Sequence, residues 1–292
     1  MIQKLIVCLC GFLILPIVTD AQESEAKEVS ETFSSIRIIN GQSTETLKER
    51  QWRYIIGHRF GDVGGELGGL QSNFGFDDAA DIRFGFDLGL TDNLMIGFAR
   101  LKGNNRPYRS ILEGFAKYRF LTQTEDNKMP VSAAITGNAY GTYMTASEDI
   151  AVVTHFPEFS HRLAYATQLT VARKFHPRVS MALMPSFVHR NYVREDDVNS
   201  LFALGGAVNI KLFKKLGLVT EYFHAFAPQE FRQEYTNSLS FALEWLTNGH
   251  VFSFNFTNAR GFGDLQYIAL TDSNWLDGEF RFGFSITRTF KY

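Results

Sequence analysis

The groups in this 292-residue sequence that could do chemistry are charges recurring at even spacing inside runs of apolar and small residues. Arg83 and Asp87 form one such set, and Glu113, Lys117 and Arg119 a second. Arg53 and Arg59 share an earlier run, Asp81 joins Arg83 and Asp87, and Lys211, Glu221, Glu244 and Arg281 stand singly in similar runs. Even spacing puts the charges of one run on one face of an extended strand. Two chemistries fit. The charges could pair across an interior and brace its wall, since a lone charge removed from water is costly. They could instead line a hydrated pore and set its preference among ions. The near balance of signs argues against a strongly selective pore.

Other chemistries find less support. Asp62, Glu66, Asp77 and Asp78 lie in a glycine-rich stretch that could offer oxygen ligands, but the calcium-loop spacing is missing. Glu195-Asp196-Asp197 reads as a solvated loop in the same way. No GK[ST] follows the glycines, so a phosphate loop is not indicated. Of the seven histidines, His155 and His161 flank Ser160, and His189 falls near a strand end. No G-x-S-x-G nucleophile motif accompanies them. No catalytic residue, metal site or cofactor is expected.

The elements that position the charges follow from composition. Phe occurs 28 times and Gly 24, while Lys+Arg (29) and Asp+Glu (31) nearly cancel. Aromatic residues favour pleated sheet, and the balance gives no nucleic-acid signal. Met1 to Lys4 is a short positive region, Leu5 to Val18 is apolar, and Thr19-Asp20-Ala21 supplies small residues for cleavage. Residues 1–21 are therefore expected to be a secretory signal peptide. Both cysteines, Cys8 and Cys10, fall within it, which leaves the mature chain without disulfides or thiolate ligands. Residues 22–50 are expected as a periplasmic N-terminal segment. Its acidic start reads as a mobile tail, and 36–50 as a connector or, alternatively, a plug or contact element.

From Trp52 onward one pattern repeats: segments of about ten residues alternate large apolar with small or polar side chains. Phe84, Phe86 and Leu88 share one face of residues 80–90, while Arg83, Gly85 and Asp87 share the other. Phe252, Phe254 and Phe256 oppose Ser253, Asn255 and Thr257. Phe280, Phe282, Phe284 and Ile286 oppose Arg281, Gly283, Ser285 and Thr287. Strands are predicted near 51–60, 80–90, 93–102, 110–121, 131–141, 160–174, 178–190, 200–213, 217–227, 236–247, 250–260 and 278–292. Short connections alternate with long ones rich in Gly, Asp, Asn and Glu (61–79, 142–159, 191–199, 228–235 and 261–277).

These features predict an all-β fold, a transmembrane antiparallel up-and-down barrel of about twelve strands (ten to fourteen) over 51–292. No later run is a membrane helix, and a closed barrel is the other structure in which lipid leaves no backbone group unpaired. A soluble barrel would turn its large apolar face inward, and the small face here is a poor filling for a dry core. Soluble strands are also shorter, roughly 5–6 residues on average. Trp52, Tyr54, Tyr118, Phe120, Tyr222, Phe226 and Trp245 could form interfacial girdles. With both termini in the periplasm, short turns face that side and long loops face outward.

The segments RIINGQSTETL (37–47), GHRFGDVGGE (57–66), FGFDDAADIRFGFDLGLTDNLMIGFAR (74–100) and EGFAKYRFLTQ (113–123) carry a likeness. Together they resemble a family of outer-membrane barrels, a domain of unknown function, from Bacteroidetes-type bacteria. The resemblance runs from about residue 33 to the C-terminus and implies fold and outer-membrane location, with no activity to transfer. The last strand has Phe290 and the terminal aromatic Tyr292, but Thr287 stands where a barrel-assembly signal often has Gly.

The expected function is a small channel for hydrophilic solutes or ions, lined by Arg83, Asp87, Glu113, Lys117, Arg119, Glu221, Glu244 and Arg281. The alternative is a closed structural or interaction barrel that holds a partner through its loops or N-terminal segment. A membrane-embedded lipid hydrolase is a distant third. The expected partners are outer-membrane lipid and, during insertion, the barrel-assembly machinery.

Overall fold

The computed structural model describes residues 27–78, 81–103, 108–228, 230, 232 and 234–292. The expected signal peptide, residues 1–21, lies outside the described residues.

Twelve strands form one closed antiparallel barrel, each pairing with its sequence neighbours, and β1 closes the ring on β12. They are β1 (Gln51–Asp62), β2 (Ile82–Gly89), β3 (Leu94–Lys102), β4 (Ser110–Leu121), β5 (Ser132–Thr142) and β6 (Leu163–His176). The second half is β7 (Val179–Arg190), β8 (Ser200–Phe213), β9 (Leu216–Phe226), β10 (Ser238–Leu246), β11 (His250–Thr257) and β12 (Arg281–Lys291). Among the described residues no helix is long and apolar enough to cross a membrane.

Alternation along the strands sorts side chains as expected. Phe84 and Phe254 are 45% and 44% exposed on the outer face, while their neighbours Arg83 and Ser253 are 2% and 6% exposed on the inner one. Aromatic rings stack along the outside, as with Trp52 on Phe290 at 4.4 Å between centroids. At one mouth four of the five connections are short, the exception being 122–131, while all six at the other mouth are longer than those four, so the two ends of the barrel differ.

The predicted β11 ran to residue 260, but it stops at Thr257. Beyond it the Asn258 side chain accepts from Leu239 N at 2.8 Å, and its carbonyl accepts from Arg281 at 2.9 Å. These bonds turn the chain into the barrel. A second expectation also needs revision. The small inner residues do not line empty space. Phe33, Ile36, Ile38 and Leu47 from ahead of β1 are buried, as are Phe262, Leu265, Tyr267, Ile268 and Leu270 from the last long connection. These two segments supply the volume that the wall lacks, so the interior is packed.

The outer face gives the first prediction. Phe84→Arg is expected to cost roughly 2–4 kcal/mol of folding into a bilayer if near its midplane, read as a shifted denaturant midpoint in liposomes. By the alternation of the strands, a charge at inward-facing Gly85 or Ser253 should be milder. Gly85 is now a poor control, because a Cβ there would sit 3.1 Å from both Ala99 Cβ and Ile55 Cγ2. Ser253 borders a small cavity that Arg37 and Arg83 also line, so Ser253→Asp, a small anionic side chain beside two guanidinium groups, is the better one. Equal losses at Phe84 and Ser253 would overturn the inside–outside assignment.

Candidate functional site: a filled lumen

The segment ahead of β1 enters at the short-turn mouth. There Val29 N donates to the Gln123 carbonyl at 2.8 Å, and Glu28 bridges Thr124. The chain then rises inside the barrel and reverses in a tight hairpin. Arg37 pairs with Gln42, Ile38 N donates to the Gly41 carbonyl at 2.8 Å, and Ser43 N to the Ile36 carbonyl at 2.9 Å. The chain descends again to Lys48 and becomes β1. The tip is Ile39-Asn40, between the paired Ile38 and Gly41, and Gly41 is needed for close approach to the wall, since a Cβ there would meet Phe223 Cζ at 2.8 Å and Met184 Sδ at 2.9 Å. Residues 36–50 thus contain a plug, the alternative that stood beside the connector.

The wall grips this hairpin with charged and amide side chains. Glu221 Oε1 accepts from Asn40 N at 2.9 Å, and Oε2 from Ile39 N and Gly41 N at 3.1 and 3.0 Å. Lys117 Nζ donates to the carbonyls of Ile36, Ser43 and Glu45 at 2.7, 3.1 and 3.2 Å. Glu113 takes Arg37 on one oxygen at 2.5 Å and Arg83 on the other. Burial is the largest single influence and opposes the Arg37 charge, but Glu113 together with Tyr140, Asp264 and Tyr267 raises the guanidinium above its ordinary pKa. Arg53 holds Asp87 at 2.7 Å and donates to Ser35 Oγ at 2.8 Å.

A second plug descends from the long-loop mouth. Residues 258–273 fold inward around a short helix, α1 (Asp264–Tyr267). Asp264 accepts from the Tyr267 hydroxyl at 2.6 Å and from the Tyr140 hydroxyl on the wall. Burial and the Asp264 charge hold the Tyr267 phenol well above its usual pKa, so it serves as a neutral donor. Gln266 donates to the Tyr108 carbonyl at 3.0 Å. Arg59 joins the two plugs. One of its nitrogens donates to Asn40 Oδ1 on the hairpin, and another to the carbonyls of Ala259 (3.1 Å) and Gly261. Its guanidinium lies 4.2 Å over the Phe262 ring. Beside the junction a cavity of about 20 Å³, bordered by Arg37, Arg83, Glu244 and Phe262, has room for about one water molecule.

Of the eight charges proposed from sequence, Arg83, Asp87, Glu113, Lys117 and Glu221 gather around the hairpin. Glu244 is buried beside the small cavity. Arg119 instead reaches the short β2–β3 turn, donating to Asn93 Oδ1 at 3.1 Å. Arg281 sits near the other mouth, paired with Asp62 at 2.8 Å. Sequence reading missed Arg37, Asn40, Gln168, Asp264 and Tyr267. The usable signal was the largely apolar run from Leu265 to Leu270, which is unlike a solvated loop.

Close fit at the hairpin's exit gives a second prediction. A methyl group at Gly89 would fall on the Lys48 carbonyl and 3.0 Å from that of Leu47. Backbone cannot move aside as a side chain can, so Gly89→Ala is expected to loosen this arm by about 1–3 kcal/mol. Lys48 and Arg50 are exposed, and trypsin should cut there faster in the variant. An unchanged rate would mean that the arm is not seated against β2.

The histidines form a different picture. His155 Nδ1 lies 2.8 Å from the Ser147 carbonyl, and Ser160 donates to Glu158 at 3.3 Å. His189 contacts Ser200 at 2.8 Å on the outer face near the long-loop mouth. Among the described residues no group of three or more His, Cys, Asp or Glu side chains could hold a metal ion.

The family described as a membrane bound beta barrel domain (DUF5777) matches residues 33–290. No curated protein matches the sequence. Among solved structures, the KdgM porin aligns over 82% of this chain and 99% of its own, at 9% identity and a TM-score of 0.50. The NanC porin aligns over 82% and 100%, at 8% identity and a TM-score of 0.48. An outer membrane channel from Pseudomonas putida F1 aligns over 85% and 98%, at 12% identity and a TM-score of 0.44. At such identities the likeness is one of fold.

Proposed function

Since this chain belongs to the membrane bound beta barrel family DUF5777, we propose that it is an outer-membrane passage for small hydrophilic solutes or ions that rests shut. In this reading residues 1–21 are a leader removed on export, and the barrel-assembly machinery inserts the mature chain. The short-turn mouth faces the periplasm, so the hairpin closes the lumen from that side and residues 258–273 close it from outside.

The observation that carries the reading is the character of the wall behind the hairpin. Lys117, Glu221, Gln168 and Thr170 all point at the hairpin's backbone. Water can replace main-chain partners of polar side chains at modest net cost, so such a wall tolerates a hydrated state. A purely apolar wall would not. The runner-up, a permanently closed barrel that holds a partner, draws on Arg59, which ties both plugs together at mid-lumen.

Planar-bilayer recording separates the two. The mature chain is expected to be silent or nearly so. The test variant carries a protease site at residues 48–50, cut after folding, and a short Gly/Ser linker in place of 259–271. Once the freed hairpin is washed out, it should give reproducible conductance steps. Silence from a variant that still shows strong β circular dichroism and heat-modifiable migration would favour the closed barrel.

A further inference from the structure

The hairpin is held mainly through its main chain. Glu221 collects the N–H groups of three consecutive residues, Ile39, Asn40 and Gly41. Lys117 collects three carbonyls from both arms. Gln168 goes further: its Oε1 accepts from Gln42 N at 3.2 Å and its Nε2 donates to the Gln42 carbonyl at 2.9 Å. That two-point pairing is what a neighbouring strand would offer to one residue. Thr170 adds a bond to the same carbonyl at 2.9 Å. The Gln42 side-chain amide, fully buried, has no hydrogen-bond partner among the described residues. At this position the wall reads the backbone and ignores the side chain. Specific side-chain recognition centres on Arg37, taken by Glu113, and Asn40, taken by Arg59 and Ser240.

We propose that the lumen wall is a binding site for peptide main chain, and that the solute admitted when the hairpin withdraws is a short peptide. The solute class rests on the passage reading; the binding site does not. A peptide fits because it repeats N–H and C=O groups at the spacing that Glu221, Gln168 and Lys117 already serve. A chain of sugars offers hydroxyls, each both donor and acceptor, and has no run of three pure donors for a single carboxylate. The hairpin then acts as a tethered occupant whose high local concentration keeps the site filled.

The test uses the full chain, folded and then cut at an engineered protease site at the exposed residues 48–50, so that a fluorescent hairpin fragment remains held only by the lumen. Displacement is followed by anisotropy in detergent with four synthetic competitors. One has the native sequence of residues 33–47. The second keeps Arg37, Asn40 and Gly41 but carries Ile39→Val, Gln42→Met, Ser43→Thr and Thr44→Ser. The third has the native side chains with ester oxygens replacing the N–H groups of Asn40 and Gln42. The fourth is maltotriose. The first two are expected to displace the fragment within about threefold of each other. The ester peptide should be at least about tenfold weaker, and the sugar inactive. Glu221→Gln in the barrel should weaken the native peptide while narrowing its advantage over the ester form.

Loss of competition by the altered-sequence peptide would overturn the proposal and leave a plug that fits only itself. So would an ester peptide as good as the native one, displacement by the sugar, or a fragment that no peptide displaces. The passage reading fails separately. If the exchange follows the backbone rule but the washed barrel stays electrically silent, the binding site stands and the channel does not. If the barrel conducts but rejects the altered peptide, the channel stands alone.

Discussion

Replacing Glu113 with alanine is expected to destabilise the folded protein by about 3–5 kcal/mol, the usual cost of breaking a buried ion pair from one side. The carboxylate is fully buried between Arg37, from the hairpin, and Arg83, from β2. Its removal strands two guanidinium groups at a site where both are at most 7% exposed. The measurement is the denaturant midpoint in liposomes, together with proteolysis of the N-terminal segment. Arg37→Met should cost less, because Glu113 keeps Arg83. The double change Arg83→Met with Glu113→Leu should recover part of the loss, since an apolar pair of similar volume replaces the ion pair. A Glu113→Ala cost below about 1 kcal/mol, the range of a solvated surface pair, would show that water reaches these groups.

Glu221→Ala is expected to release the hairpin tip rather than unfold the barrel. Hydrogen bonds to a charged group contribute about 1.5–3 kcal/mol each, and three neighbouring ones share one acceptor, so a combined loss of about 3–5 kcal/mol is expected. At 1.4 kcal/mol per tenfold, the amides of Ile39, Asn40 and Gly41 should exchange with solvent about a hundredfold to a few thousandfold faster. Barrel amides in β5 to β8 and the β circular dichroism should be unchanged. Glu221→Gln keeps one acceptor oxygen but turns an NH2 group toward the donors, so it should restore little. Wild-type protection of these three amides in the alanine variant would mean that packing of Ile38 and Phe33, and not the carboxylate, holds the tip.

Glu113 and Glu221 were both legible as inward charges, yet their partners were not. The alternation of Arg83 with Phe84, or Ser253 with Phe254, is a local property. A strand in lipid must turn one face to hydrocarbon and the other away, and period two records this residue by residue. Together with the short and long connections, that sufficed for twelve strands, closure and the inner face. What fills the ring was decided only in three dimensions. A run of small inner residues has the same sequence signature whether it borders water or makes room for an inserted segment. The bonds that settle the matter join residues far apart in the chain: Ile39 to Glu221 across 182 positions and Arg59 to Gly261 across 202. Leu265–Leu270 carried an apolar patch, while nothing local marked Ile39-Asn40 as the tip of an inserted hairpin. Only the closed barrel, by bringing β1, β4, β6 and β9 around one axis, gave the two segments a shared interior to fill.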